Sequence, residues 1–151
     1  MRVSGDCASR LAMVQPDVAR AKINRARTWL EEAESILVRP REEYLLDAKG
    51  RDLSAFYLFL AIQECIDLAA HWIADAGWEA PDESGAAFDV LADRGRITRI
   101  TADSLRGATG LRNRIAHGYA RVEHGRIYEE GPDGIRAMRE FLSAVAREAG
   151  L

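Results

Sequence analysis

Phe56-Tyr57-Leu58-Phe59-Leu60-Ala61-Ile62-Gln63-Glu64-Cys65-Ile66-Asp67-Leu68-Ala69 is the middle of the most apolar element of the chain, a helix predicted over residues 52–76. Leu53, Phe56, Leu58, Phe59, Ile62, Ile66, Leu68, Trp72 and Ile73 cover far more than one face. A water-soluble helix this apolar packs on more than one side. Its length would span a bilayer, but Gln63, Glu64, Asp67, His71 and Asp75 interrupt the run and are costly in lipid, so no membrane role is expected. These five polar residues recur at helical spacing and form a stripe facing water, a cleft or a subunit partner. A rod of this kind at the centre of a small bundle implies a homodimer.

The flanks are helical too, with no Asn-Gly or Asp-Gly hairpin signal and no alternating run of strand length. A first helix begins near Pro16-Asp17, carries Val18, Ala21, Ile23, Ala26, Trp29, Leu30, Ala33, Ile36 and Leu37 on one stripe, and stops before Pro40. Residues 41–48 form a short helix or turn leading to Gly50. Beyond Gly77 a loop with Pro81 precedes a helix over 84–93, ended by Gly95. The next helix runs over 97–117, with Gly118 at the place of a left-handed cap. Residues 122–134, holding Gly125, Gly131 and Pro132, read as a polar loop, and a last helix spans 135–149. The fold class is therefore all-α, with about five helices. Residues 1–15 read as an N-terminal tail, with ordered structure starting near Met13, and residues 16–151 as a single domain.

A chain of 151 residues, 48% hydrophobic and 30% charged, suffices for one domain with a real core. Cys7 and Cys65 stand far apart, without metal or redox spacing, and the chain opens without the apolar run of a signal peptide. A reducing cytoplasm is the expected compartment. The net charge of −3 is unevenly spread. Residues 94–126 hold eight arginines against Asp103 and Glu123, so that segment carries +6 and the remainder −9. A basic face on an acidic protein suits a confined anionic ligand or a partner with acidic patches.

Within that basic segment lies Arg112-Asn113-Arg114-Ile115-Ala116-His117-Gly118-Tyr119. A guanidinium clamps phosphate oxygens through paired hydrogen bonds, and an imidazole moves protons near neutral pH. Arg112 and His117 are therefore a minimal kit for phosphodiester cleavage, with Asn113 available to hold the imidazole or a phosphate oxygen. On a straight helix Arg112 and His117 stand about 140° apart around the axis and about 7.5 Å along it. Either the helix end distorts, or Arg112 of one subunit serves His117 of another, and the composite dimer site is the preferred reading. Glu64, Asp67 and Arg114 are candidate supporting residues, Glu64 or Asp67 by orienting Arg112 or His117 across the bundle. Taken singly, His117 also reads as a cap, Arg112 as a salt-bridged arginine and Tyr119 as packing. His71 and His124 receive no role. No glycine-rich phosphate loop or metal-ligand cluster is present, and no cofactor or metal is expected.

The pattern of Arg112, four residues, His117, one residue, Tyr119, with polar Asn113 after the arginine, resembles the signature of HepT-like HEPN proteins, the toxins of prokaryotic toxin–antitoxin pairs. The run from Phe56 to Ala69 resembles the family's second long helix, and the likeness covers roughly residues 17–149. It implies an all-α HEPN bundle that dimerises, with the Arg–His motifs of both chains lining a cleft. It further implies a metal-independent endoribonuclease toxin acting on RNA, paired with a nucleotidyltransferase antitoxin of the MNT type. That antitoxin would transfer AMP from ATP onto Tyr119 and silence the toxin. The other reading is a non-catalytic HEPN module that binds and assists a partner nucleotidyltransferase.

Overall fold

The computed structural model describes residues 15–118 and 122–151, in which six helices and no strand are present. They are α1 (Pro16–Leu37), α2 (Arg41–Leu46), α3 (Ala48–Asp75), α4 (Ala86–Asp93), α5 (Arg99–His117) and α6 (His124–Glu148). The expected tail, residues 1–15, lies outside the described residues apart from Gln15, which precedes α1.

Three of the helices start for a local reason. Pro16 fills the first turn of α1, where its missing N–H goes unclaimed and its fixed φ is already helical. Asp47 caps α3, its carboxylate accepting from the Gly50 amide at 3.1 Å while Arg39 Nη1 donates to it at 3.0 Å. Those two bonds, the backbone one foremost, hold the Asp47 carboxyl below its ordinary range. This cap moves the start of α3 four residues ahead of the sequence expectation. Thr98 caps α5 through its hydroxyl, which accepts from the Thr101 amide at 3.1 Å.

As its composition requires, α3 is the central rod and packs against all five other helices, most extensively α1. Leu58, Ala61, Ile62, Cys65, Leu68, Ala69, Trp72 and Ile73 are buried on it, and Ala19, Ile23, Ala26, Leu30 and Ala33 of α1 meet that surface. It is long and apolar enough to cross a membrane, but half of its most apolar window is buried inside the bundle. Val18 and Ala21, expected on the α1 stripe, instead face solvent, because the buried face follows Ala19, Ile23, Ala26, Leu30, Ala33 and Leu37. Phe88 of α4 meets Phe141 of α6 edge to face, ring centroids 5.3 Å apart, which ties the short helix to the core.

Two local expectations are corrected. Of the expected loop over 122–134, residues 124–134 are helix: α6 begins at His124 and runs unbroken through Gly125, Gly131, Pro132 and Gly134. Gly131 there serves packing, since a Cβ at this buried position would lie 2.7 Å from Leu37 Cδ1. Proximity to α1 thus decides that residue, and Ile127, Ile135, Met138 and Phe141 supply enough buried surface to carry the helix across the proline. Gly118 is not a left-handed cap either. Its φ is −127° and its amide donates to the Arg114 carbonyl at 2.8 Å, so the chain leaves α5 without reversing hand.

Candidate functional site

The last two turns of α5 carry the candidate residues. Leu111 and Ile115 anchor them in the core, and the spacing of those anchors turns Asn113 and His117 outward. Four residues apart, Asn113 and His117 lie about 40° from alignment on one exposed face. Arg112 points elsewhere. It is partly buried and reaches α3, where its Nη1 donates to Gln63 Oε1 at 3.0 Å. Its Nε is buried without a protein partner.

Gln63 in turn donates through Nε2 to Asp67 Oδ1 at 3.1 Å, one turn along α3. Lys22 Nζ of α1 stands 3.5 Å from Asp67 and 3.1 Å from Glu64. Of the two acidic candidates, Asp67 therefore connects to Arg112 through Gln63. Glu64 is turned toward α1, where Lys22 and Arg25 claim both its oxygens, Arg25 Nε at 3.2 Å. Gln63 is the residue missed as a site candidate. Its signal was its place in the polar stripe four residues before Asp67, the spacing at which side chains on one helix meet.

Arg114 faces the opposite neighbour, with Nη2 3.7 Å from Glu130 of α6, a carboxylate that also accepts from Arg126 Nε at 2.7 Å. His117 opens onto a cavity of about 380 Å³ between α5 and α6, lined also by Arg114, Arg126, Val122 and Glu123. Two guanidiniums against Glu130, with Glu123 at the rim, leave this cavity suited to an anion only near its arginine wall. Arg112 does not line it. Within one chain Arg112 serves the α3 side of the helix and His117 the α6 side, as the five-residue offset requires. Tyr119, the expected acceptor of AMP, lies outside the described residues.

His124, read in sequence as a loop residue without a partner, is the first residue of α6. Its Nδ1 is buried without a partner and its Nε2 is 4.0 Å from Asp52 Oδ1. Burial first, then the Arg51 charge, push its pKa below the usual imidazole value, with Asp52 opposing. It borders a cavity of about 660 Å³, whose walls include Phe56, Phe59, Ile115 and Val122. No group of acidic, histidine and cysteine side chains among the described residues is arranged to hold a metal ion.

A family model described as Ribonuclease HepT-like matches residues 27–145. Among solved structures, the chain is similar to the tri-AMPylated HEPN toxin of Shewanella oneidensis in complex with its MNT antitoxin. The TM-score is 0.79 at 21% identity, over 87% of this chain and 98% of that one. A toxin–antitoxin structure with AMP-PNP gives a TM-score of 0.79 at 20% identity, over 87% and 98% of the two chains. The cytosolic protein YutE of Bacillus subtilis, of unknown function, gives 0.70 at 17% identity, over 85% and 88%. At these identities the likeness is one of fold. No curated protein matches the chain.

Proposed function

This chain belongs to the HepT-like ribonuclease family, whose model spans its residues 27–145, and from that premise we propose that it is the toxin of a HEPN/MNT pair. In this reading residues 16–151 act as one domain, cleave RNA as a homodimer, and are silenced by AMPylation of Tyr119. The observation that carries it is the placement of the Arg–His pair. Arg112 and His117 sit at the exposed end of α5 inside the matched region, yet they are aimed at different neighbours. Two copies that bring these helix ends together would set Arg112 of one chain against His117 of the other. Leu53 and Phe56, about half exposed on the first turns of α3, are apolar surface of the kind such pairing buries.

The chemistry follows from the groups. His117 takes the proton of a ribose 2′-hydroxyl, whose oxygen attacks the adjacent phosphorus, or it delivers a proton to the departing 5′-oxygen. Arg112 meets the charge that accumulates on the non-bridging oxygens, where a preorganised donor is worth most. Asn113, on the His117 face, steadies the imidazole or a phosphate oxygen. Silencing uses ATP bound by the nucleotidyltransferase: the Tyr119 phenol oxygen attacks the α-phosphorus, pyrophosphate leaves and the phenolic proton goes to solvent. A phosphodiester placed two residues beyond His117 brings bulk and negative charge to the place an RNA phosphate would occupy.

Induction in a growing culture tests the first part. Wild type arrests growth, while His117→Ala and Arg112→Ala do not. A fully toxic His117→Ala protein would refute the catalytic assignment. Intact mass after incubation with the nucleotidyltransferase and ATP tests the second. AMP additions are expected on wild type and absent from Tyr119→Phe, and equal labelling of both would move the acceptor elsewhere.

A further inference from the structure

We propose that Gln63 and Asp67 are positioning residues that fix the direction in which Arg112 presents its guanidinium. This rests on the reading of Arg112 as the phosphate-binding group. A glutamine amide has one donating and one accepting end. An ionised carboxylate only accepts, and a guanidinium only donates. Between Asp67 and Arg112, Gln63 therefore has a single orientation that satisfies both neighbours: Nε2 toward Asp67 Oδ1 at 3.1 Å, Oε1 toward Arg112 Nη1 at 3.0 Å. The order of donors and acceptors is dictated by residue type, so Asp67 acts on an arginine it does not touch. Lys22, 3.5 Å from Asp67, supplies the counter-charge from α1.

The consequence for Arg112 is directional. One Nη1 hydrogen is held against α3 and the Nε is buried, so the remaining Nη hydrogens are the ones free to meet a ligand, from a plane that α3 sets. A guanidinium left to choose its own rotamer would surrender side-chain entropy each time it bound phosphate. The relay, built one turn long on the most deeply packed helix of the bundle, settles that orientation in advance.

Reversing the polarity of the relay provides the test. Asp67→Asn lets the amide at 67 present either end and no longer dictates the orientation of Gln63. Cleavage of a short RNA should lose about 3- to 10-fold in kcat, the value of one hydrogen bond, with KM nearly unmoved. The double variant Gln63→Glu with Asp67→Asn restores the order: the new amide donates to the new carboxylate, which accepts from Arg112, at unchanged net charge. It should recover most of the lost kcat, whereas a merely structural role for these side chains predicts additive losses. The Nη–H signals of Arg112 in NMR spectra, assigned by loss in Arg112→Lys, give a readout independent of cleavage. They should broaden in Asp67→Asn and sharpen again in the double variant, with thermal melting confirming that each protein is folded. Unchanged Arg112 signals in Asp67→Asn, or a double variant no better than the sum of its singles, would overturn the proposal. Absence of cleavage by wild type, with the NMR pattern as expected, would sink the ribonuclease reading alone.

Discussion

Gly131 and Gly134 lie three residues apart on α6, and replacing each with alanine should move stability in opposite directions. Both substitutions exchange glycine for the best helix former, which in a helix interior stabilises by about 0.5–1 kcal/mol. At Gly134 the new methyl has nothing within 4 Å, so the full gain should appear. At Gly131 it lies 2.7 Å from Leu37 Cδ1, and Leu37 is only 4% exposed. Overpacking of this kind costs about 1–3 kcal/mol. The cavity of about 320 Å³ beside Leu37 gives that side chain somewhere to turn, which places the cost in the lower half of the range. The propensity gain cancels between the two variants, so they should differ by about 1–2 kcal/mol, with Gly131→Ala the weaker. For a domain of this size that separates their melting temperatures by about 2–8 °C. Parallel thermal and urea unfolding would measure it. Equal stability of the two proteins would mean that α6 is not seated on the end of α1. Loss of stability in Gly134→Ala would mean that residues 131–134 are not helical at all.

Three further outcomes follow. Mixing Arg112→Ala chains with His117→Ala chains should restore about a quarter of wild-type RNA cleavage, because half the two-fold dimers then hold one intact composite site; no recovery would place both groups in one chain. His124, whose folded pKa lies below its unfolded value, should titrate below the ordinary imidazole range by NMR. Since the folded state takes up that proton only at lower pH, its contribution to stability is full above the unfolded value near 6.5 and is lost as pH falls toward the folded one. His124→Gln should flatten the stability profile there, and an unchanged profile would deny the shift. Cys65, fully buried with its thiol pushed far above the usual range by burial, should resist thiol reagents in a Cys7→Ser background until the protein unfolds; rapid labelling under native conditions would contradict the packing of α3.

The central helix could be read from sequence because its apolar residues outnumber one face, and only a rod packed all round tolerates that. α5 could be read because its apolar stripe persists to Ile115 and Gly118 follows its last residue, although not in the left-handed conformation expected. α6 was misread over its first eleven residues because glycine and proline report on local backbone preference. The reason for Gly131 is a neighbour, Leu37, that lies ninety-four positions away in the chain. At the site, the type and spacing of Arg112, Asn113 and His117 pointed to phosphodiester chemistry. Sequence could not assign the neighbours: Arg112 to Gln63, Glu64 to Lys22 and Arg25, and Arg114 to Glu130. Acidic residues drew the search for Arg112's partner, whereas the side chain that touches it is an uncharged amide.

Pro132 gives α6 a property that its continuous outline hides. Having no N–H, it cannot close the ladder bond to the Tyr128 carbonyl, so the rod of residues 124–148 is joined at that turn by one backbone bond fewer and leans more on packing. For opening motions the helix is then two pieces. Amides of the later piece, held by Met138, Phe141, Leu142 and Val145, should exchange with solvent deuterium only when the whole domain unfolds. Those of residues 124–131 can exchange through a smaller, separate opening. That early piece carries Arg126, a wall of the His117 cavity. The part of the protein best able to loosen on its own is therefore the part that borders the histidine.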